Sequence, residues 1–120
     1  MPRVMNGTAL TAKLFRGFAD PTRLAILETL LEGERSVGEI AEAVEGNFAN
    51  ISGHLACLAE CGLVESEKRG KYVYYRLRER RVKDLIRIAE AIVAEVSRQL
   101  YECTRYDRMV TPNVKGTRGR

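Results

Sequence analysis

Residues Asn47 to Val64 read NFANISGHLACLAECGLV. Ile51, Leu55 and Leu58 fall at steps of four and three, the apolar stripe of an amphipathic helix. Asn47 suits the N-cap of that helix and Gly62 its stop, after which Leu63 and Val64 begin extended chain. Asn50, Ser52, Gly53 and His54 lie off the stripe near the start. They are short polar groups able to approach base edges, and Asn47 and Phe48 at the mouth of the helix belong to the same DNA-facing set. Cys57 and Cys61 mark the far end. A spacing of four brings both sulfurs to one side of a helix, with Cβ atoms ~5–6 Å apart. The stretch therefore carries a surface suited to DNA and a thiol pair suited to a soft metal.

Upstream, apolar Leu10, Leu14, Phe15 and Phe18 predict a helix over about Ala9 to Phe18, with residues 1–8 loose. Asp20-Pro21 reads as an N-cap followed by proline at the first helical position. The helix it opens runs to about Glu32, turns Leu24, Leu27, Leu30 and Leu31 inward, and closes at Gly33. Ser36 and Glu39 form a capping-box pattern for a short helix, Val37 to Val44, with Val37, Ile40, Ala41 and Val44 inward. Glu45-Gly46-Asn47 is then a tight turn into the quoted stretch. Two short helices joined this way are the signature of a helix-turn-helix.

Downstream the period changes from 3.6 to 2. Val64 to Lys68 and Lys71 to Leu77 read as two strands around Arg69-Gly70, a hairpin with a basic tip. A last helix, about Arg80 to Cys103, has apolar residues at Val82, Leu85, Ile86, Ala89, Ile92, Val93, Val96 and Leu100. So long a stripe calls for a partner subunit. The expected architecture is mainly α with a β-hairpin wing: a homodimeric winged helix-turn-helix of order α-α-α-α-β-β-α. Residues 1–106 would form the DNA-binding and dimerisation domain, and 107–120 a basic, disordered tail.

The chain has 120 residues, a length that suits one domain with a small core. No apolar run approaches the ~20 residues of a membrane span, and the first ten residues lack a signal-peptide core. The expectation is a cytoplasmic protein with no membrane partner. Net charge is +4, divided as −3 over residues 1–62 and +7 over 63–120. Between Lys68 and Arg81 lie Lys68, Arg69, Lys71, Arg76, Arg78, Arg80 and Arg81 against Glu79 alone, a +6 run. Such a run is either a solvated face or the footprint of a polyanion, and a reading helix just before it favours nucleic acid. Lys68, Arg69 and Lys71 at the wing tip are the candidate phosphate contacts. Tyr72, Tyr74 and Tyr75 read as strand residues.

In order and spacing, from about Leu14 to Cys103, the chain resembles the ArsR/SmtB family of metal-sensing repressors. ADPTRLAIL and ISGHLACLAECGLV carry the likeness. The resemblance implies a homodimer that holds operator DNA when metal-free and loosens on binding metal. A Cys-x-Cys in the third helix is absent, since that stretch is Ser36-Val37-Gly38-Glu39-Ile40, and the last helix has no histidine. The cysteines left are Cys57, Cys61 and Cys103, which resemble the cadmium- and lead-sensing CmtR branch. There two reading-helix thiols are joined by one near the C-terminus of the other protomer. Cys57 and Cys61 match in spacing and setting, and Cys103 in its placement after the last helix. Gly53 stands where a larger polar or basic residue is usual.

Three thiolates suit Cd(II), Pb(II) or As(III) better than zinc, which wants a fourth ligand. The competing readings are cysteines buried as small hydrophobes, or a redox pair, which i,i+4 spacing in one helix serves poorly. His54 reads as a structural histidine at the DNA-facing edge rather than a ligand. An enzyme or metal carrier would need an activating base or a substrate pocket, and one histidine with no Gly-rich loop offers neither. The sequence thus reads as a non-enzymatic, metal-released repressor, with arsenite or thiol redox as the alternative signal.

Overall fold

A computed structural model describes residues 6–103. The elements are α1 (Gly7–Ala19), α2 (Pro21–Thr29), β1 (Arg35–Ser36), α3 (Val37–Val44), α4 (Phe48–Glu60), β2 (Val64–Arg69), β3 (Tyr72–Leu77) and α5 (Arg80–Glu102). The tail expected over 107–120 lies outside the described residues. The chain divides into two compact units that meet at Arg78/Glu79.

In the first unit, side-chain caps set most helix starts. Asn6 Oδ1 accepts from the Ala9 amide at 2.7 Å, so α1 begins at Gly7, two residues before the expected start. Asp20 accepts from the Arg23 amide at 2.9 Å, with Pro21 at the first position of α2. The α2 helix ends at Thr29 rather than near Glu32. Its last residues tighten into three-residue turns, Leu30 to Leu27 and Leu31 to Glu28, closed at Gly33. Leu30 and Leu31 remain buried there, and Ile26 takes the fully buried place expected of Leu24, which is half-buried. Arg23 Nε donates to the Gly17 carbonyl at 3.2 Å and Arg35 Nε to that of Thr29 at 2.8 Å, covering carbonyls at the ends of α1 and α2.

The expected element order lacks β1. Arg35 pairs with Tyr75 and Ser36 with Tyr74, giving an antiparallel sheet of order β1-β3-β2. Two residues are too few to show alternation, and Ser36 doubles as the α3 N-cap. The hairpin also turns one residue later than expected, because Arg69 pairs with Tyr72 and leaves Gly70-Lys71 as the loop. Gly70 takes φ +62°, the positive value that a two-residue hairpin of this kind requires at its first central position.

Ile26, Leu27, Ile40, Ile51, Leu55, Leu58 and Val64 form the fully buried centre. They come from α2, α3, α4 and β2, so the core fixes the helix-turn-helix and the root of the wing together. In the second unit α5 runs for 23 residues, and Val96 departs from helical geometry (φ −114°, ψ 18°). Val82 and Ile86 are buried, whereas Ile88, Ile92, Val93 and Leu100 are exposed. No helix among the described residues is long and apolar enough to cross a membrane.

Candidate nucleic-acid interface and thiol site

The helix-turn-helix is built by reciprocal hydrogen bonds. Ser36 Oγ accepts from the Glu39 amide at 3.1 Å, and Glu39 Oε1 accepts from the Ser36 amide at 2.8 Å. At the far end of α3, the Glu45 amide bonds to Glu42 O and the Gly46 amide to Ala41 O. This is the Schellman arrangement. The residue in the left-handed region is Glu45 (φ 56°), not the neighbouring glycine. Gly46 serves another purpose: a Cβ there would lie 2.8 Å from Ile51 Cδ1. The turn can press against α4 only because that side chain is missing.

Asn47 caps α4, its Oδ1 accepting from the Asn50 amide at 2.8 Å. That oxygen is therefore committed to the helix. Ile51, Leu55 and Leu58 pin α4 to the core. The opposite side presents Phe48, 60% exposed, with Asn50 and Gly53 exposed and Ser52 and His54 half-buried. Apart from the helix's own backbone and chain neighbours, nothing lies within 4 Å of where a Gly53 Cβ would be, so the backbone there is open to approach.

The wing differs from its sequence reading in charge. Arg69 was counted with Lys68 and Lys71 as an open phosphate contact. Its guanidinium instead donates to both Glu34 carboxylate oxygens, at 2.6 and 2.8 Å, and to Glu67 at 3.0 Å. It also sits 4.6 Å over the Tyr74 ring. Arg76 donates to Glu65 at 2.9 Å and Glu67 at 3.2 Å. Arg81 is paired with Glu79 at 2.6 Å. The Arg69 guanidinium holds the Glu34 and Glu67 carboxyls below the usual carboxylate range. Three of the seven cations in the +6 run are thus spent on carboxylates. Lys68 and Lys71 at the tip have no carboxylate partner among the described residues, and Lys71 lies 5.7 Å from the Tyr72 ring centre.

The sequence reading missed Glu34, Glu65 and Glu67 as members of this site. Glu65 was within reach only with the turn at Gly70-Lys71, whose register sets it opposite Arg76 rather than Tyr74. Glu34 was not, because its place follows from β1.

Cys57 and Cys61 are both exposed, which removes the buried-hydrophobe reading for the protomer. The Cys61 amide bonds to Cys57 O at 3.0 Å, so one intact helical turn separates them. Cys61 opens onto a hollow of about 450 Å³ lined also by Leu10, Lys13, Leu14 and Glu60. Cys103 is half-buried and caps the end of α5. Among the described residues no group of three or more His, Cys, Asp or Glu is placed to hold a metal ion. The donor chemistry of α4 fits two positions of a soft ion's shell and leaves at least one for a donor elsewhere.

A three-helix core whose last two helices form a helix-turn-helix, followed by a hairpin wing, defines a winged-helix protein of the transcription-regulator class. Residues 20–66 match the family described as bacterial regulatory protein, arsR family. The chain is 40% identical over 95 residues to a probable mercury resistance operon repressor of Streptomyces lividans, covering 79% of this chain and 76% of that one. It is 38% identical over 92 residues to the transcriptional regulator CmtR of Mycobacterium bovis, covering 73% and 77%. Among solved structures, the homodimeric winged helix-turn-helix DNA-binding domain of a possible ArsR-family regulator from M. bovis superposes with TM-score 0.68. That match has 31% identity and covers 79% of this chain and 92% of the other. This protein belongs to the ArsR family, whose matched members are transcriptional regulators rather than enzymes.

Proposed function

We propose that this protein is a cytoplasmic transcriptional repressor that binds operator duplex DNA as a homodimer and is released by a soft, thiophilic metal ion. The observation that carries the reading is the make-up of α4. Its exposed start bears Phe48, Asn50, Ser52, Gly53 and His54, and its exposed end bears Cys57 and Cys61. Lys68 and Lys71 would add phosphate contacts beside the base-reading face, with Arg69 in reserve. Asn47 would set the helix start rather than read a base.

Cys57 and Cys61 would hold the ion together with Cys103, and three thiolates favour Cd(II) or Pb(II), with As(III) as the alternative. The relatives support a metal signal, one being named for a mercury resistance operon. Homodimerisation is supported by the exposed Leu10, Leu14 and Phe15 on α1 and Ile88, Ile92 and Val93 on α5, apolar surface that a second copy would cover. The unit that acts would be residues 1–106.

The test is operator binding by fluorescence anisotropy with the reduced full-length protein, titrated in parallel with Cd(II), Pb(II), As(III) and Hg(II). Wild type should bind without metal and dissociate with it. Cys57→Ser and Cys61→Ser should stay on DNA at all metal concentrations, and Cys103→Ser should keep some metal affinity but lose most of the release. Release of Cys103→Ser as complete as wild type would exclude Cys103 as third ligand. Dissociation by peroxide but by none of the metals would favour the redox alternative.

A further inference from the structure

The run of cations after α4 looks in sequence like an open phosphate-binding surface, but in the folded wing Arg69 and Arg76 are paired with carboxylates. Glu34, Glu65, Glu67, Arg69 and Arg76 form one hydrogen-bonded cluster with three carboxylates against two guanidinium groups. Its formal charge is −1. Glu34 engages Arg69 through two parallel N–H···O bonds, the geometry by which a guanidinium also grips a phosphate. Yet Arg69 is 42% and Glu34 35% exposed at the side chain, so the pair is open to exchange.

We infer that Glu34, with Glu67, acts as an internal phosphate mimic that occupies Arg69 and thereby limits the affinity of the wing for duplex DNA. Glu34 is a positioning residue: it touches no DNA in this scheme, and acts by deciding where the Arg69 guanidinium points. The pairing has a use in the repressor proposed above, on which the inference rests. A sensor must be released by its signal, and each idle cation on the wing would add sequence-independent grip that the signal has to overcome. Lys68 and Lys71, outside the cluster, supply the tip's open charge.

Anchoring of the wing is a poorer account of the same contacts. The β1–β3 ladder already ties this segment to the hairpin through Arg35–Tyr75 and Ser36–Tyr74. Exposed ion pairs add little to such a frame. Anchoring and mimicry also predict opposite signs for Glu34→Gln, which makes them separable.

The experiment measures binding of full-length protein to a random-sequence duplex between 50 and 200 mM KCl, comparing wild type, Glu34→Gln, Arg69→Gln, the double variant and Glu95→Gln. Glu95 is exposed on α5, and its neutralisation controls for net charge alone. Glu34→Gln should bind more tightly than Glu95→Gln and gain one phosphate contact per wing. The slope of log K against log salt should steepen by ~0.9 per wing, a further ~3.5-fold loss of affinity per wing across that salt range. Arg69→Gln should keep the wild-type slope, and the double variant should lose the gain. Weaker binding by Glu34→Gln would overturn the inference in favour of anchoring. A slope flattened by ~0.9 per wing in Arg69→Gln alone would show that Arg69 already contacts phosphate, and would overturn it too. Absence of any salt-dependent binding by wild type would instead refute the DNA-binding reading itself.

Discussion

Gly46→Ala tests how tightly the turn is built against α4. The new Cβ would lie 2.8 Å from Ile51 Cδ1, 3.0 Å from Ile51 Cγ1 and 3.6 Å from Val44 Cγ2. The first contact is with a terminal methyl, but Ile51 is 1% exposed and enclosed by the core, so the methyl cannot swing aside. Overpacking of this kind costs about 1–3 kcal/mol. Against it, alanine restricts the unfolded chain and returns about 0.4–1 kcal/mol, since Gly46 has no positive φ to lose. The net is a destabilisation centred near ~1.5 kcal/mol, or a fall in Tm of about 6–12 °C. Urea denaturation at fixed protein concentration reads it directly. Ile51→Val removes the closest methyl. Alone it should cost about 0.5–1.5 kcal/mol, and in the Gly46→Ala background distinctly less. A neutral or stabilising Gly46→Ala, or strict additivity in the double variant, would refute the steric account.

Glu45→Gly should stabilise by about 0.5–1 kcal/mol in the same urea assay, because glycine removes the left-handed penalty while giving back part of it as unfolded-state freedom; destabilisation would mean the Glu45 side chain has a role not captured by its backbone. Ile92→Glu with Val93→Glu, at positions 54% and 46% exposed in the protomer, should yield a monomer with weak operator affinity, and a dimer persisting in analytical ultracentrifugation would move the interface off α5. Acid should dissolve the wing cluster. Glu34 and Glu67 are held below the usual carboxylate range chiefly by Arg69, so their contribution is complete above that range and is lost as pH falls through the depressed values. The stability difference between wild type and Glu34→Gln should be flat through neutral pH and shrink progressively as pH falls below the ordinary glutamate range; a difference that widens on acidification would contradict the pairing.

Local chemistry made most of the fold legible. Asp20-Pro21, Ser36 with Glu39, and Asn47 each mark a helix start with one side-chain oxygen, and all three caps form as written. Periodicity located α3, α4 and α5 because each carries one apolar stripe; α3 and α4 bury theirs, whereas α5 buries only Val82 and Ile86. The misplaced features depend on contacts distant in sequence. The β1 strand exists only because Tyr74 and Tyr75 meet it, 38 and 40 residues from their partners Ser36 and Arg35. Leu24 and Ile26 compete for one core, and periodicity cannot say which of two neighbouring apolar residues points to its centre. The wing's charge was misjudged because counting along a window omits Glu65 and Glu67 just outside it and Glu34 far upstream. For the thiols, sequence supplied the pair on one turn, and folding added that both are exposed.

Exposure of Cys57 and Cys61 on a rigid helix constrains how a signal could reach DNA. Ile51, Leu55 and Leu58 are fully buried along the length of α4, so the helix moves as a body or not at all. Two thiols on that body keep the same separation in every position it adopts. A ligand held by them alone would bind the DNA-competent and DNA-incompetent positions equally, and a ligand without differential affinity shifts no population, however tightly it is held. Coupling therefore requires a donor that does not travel with α4. In the function proposed above, Cys103 at the end of α5 would be that donor. A tenfold loss of operator affinity needs only ~1.4 kcal/mol of such a difference. On that proposal the three cysteines should fail differently: loss of Cys57 or Cys61 would remove metal binding, whereas loss of Cys103 would leave some binding and remove its consequence, a contrast that metal titration beside operator binding would read.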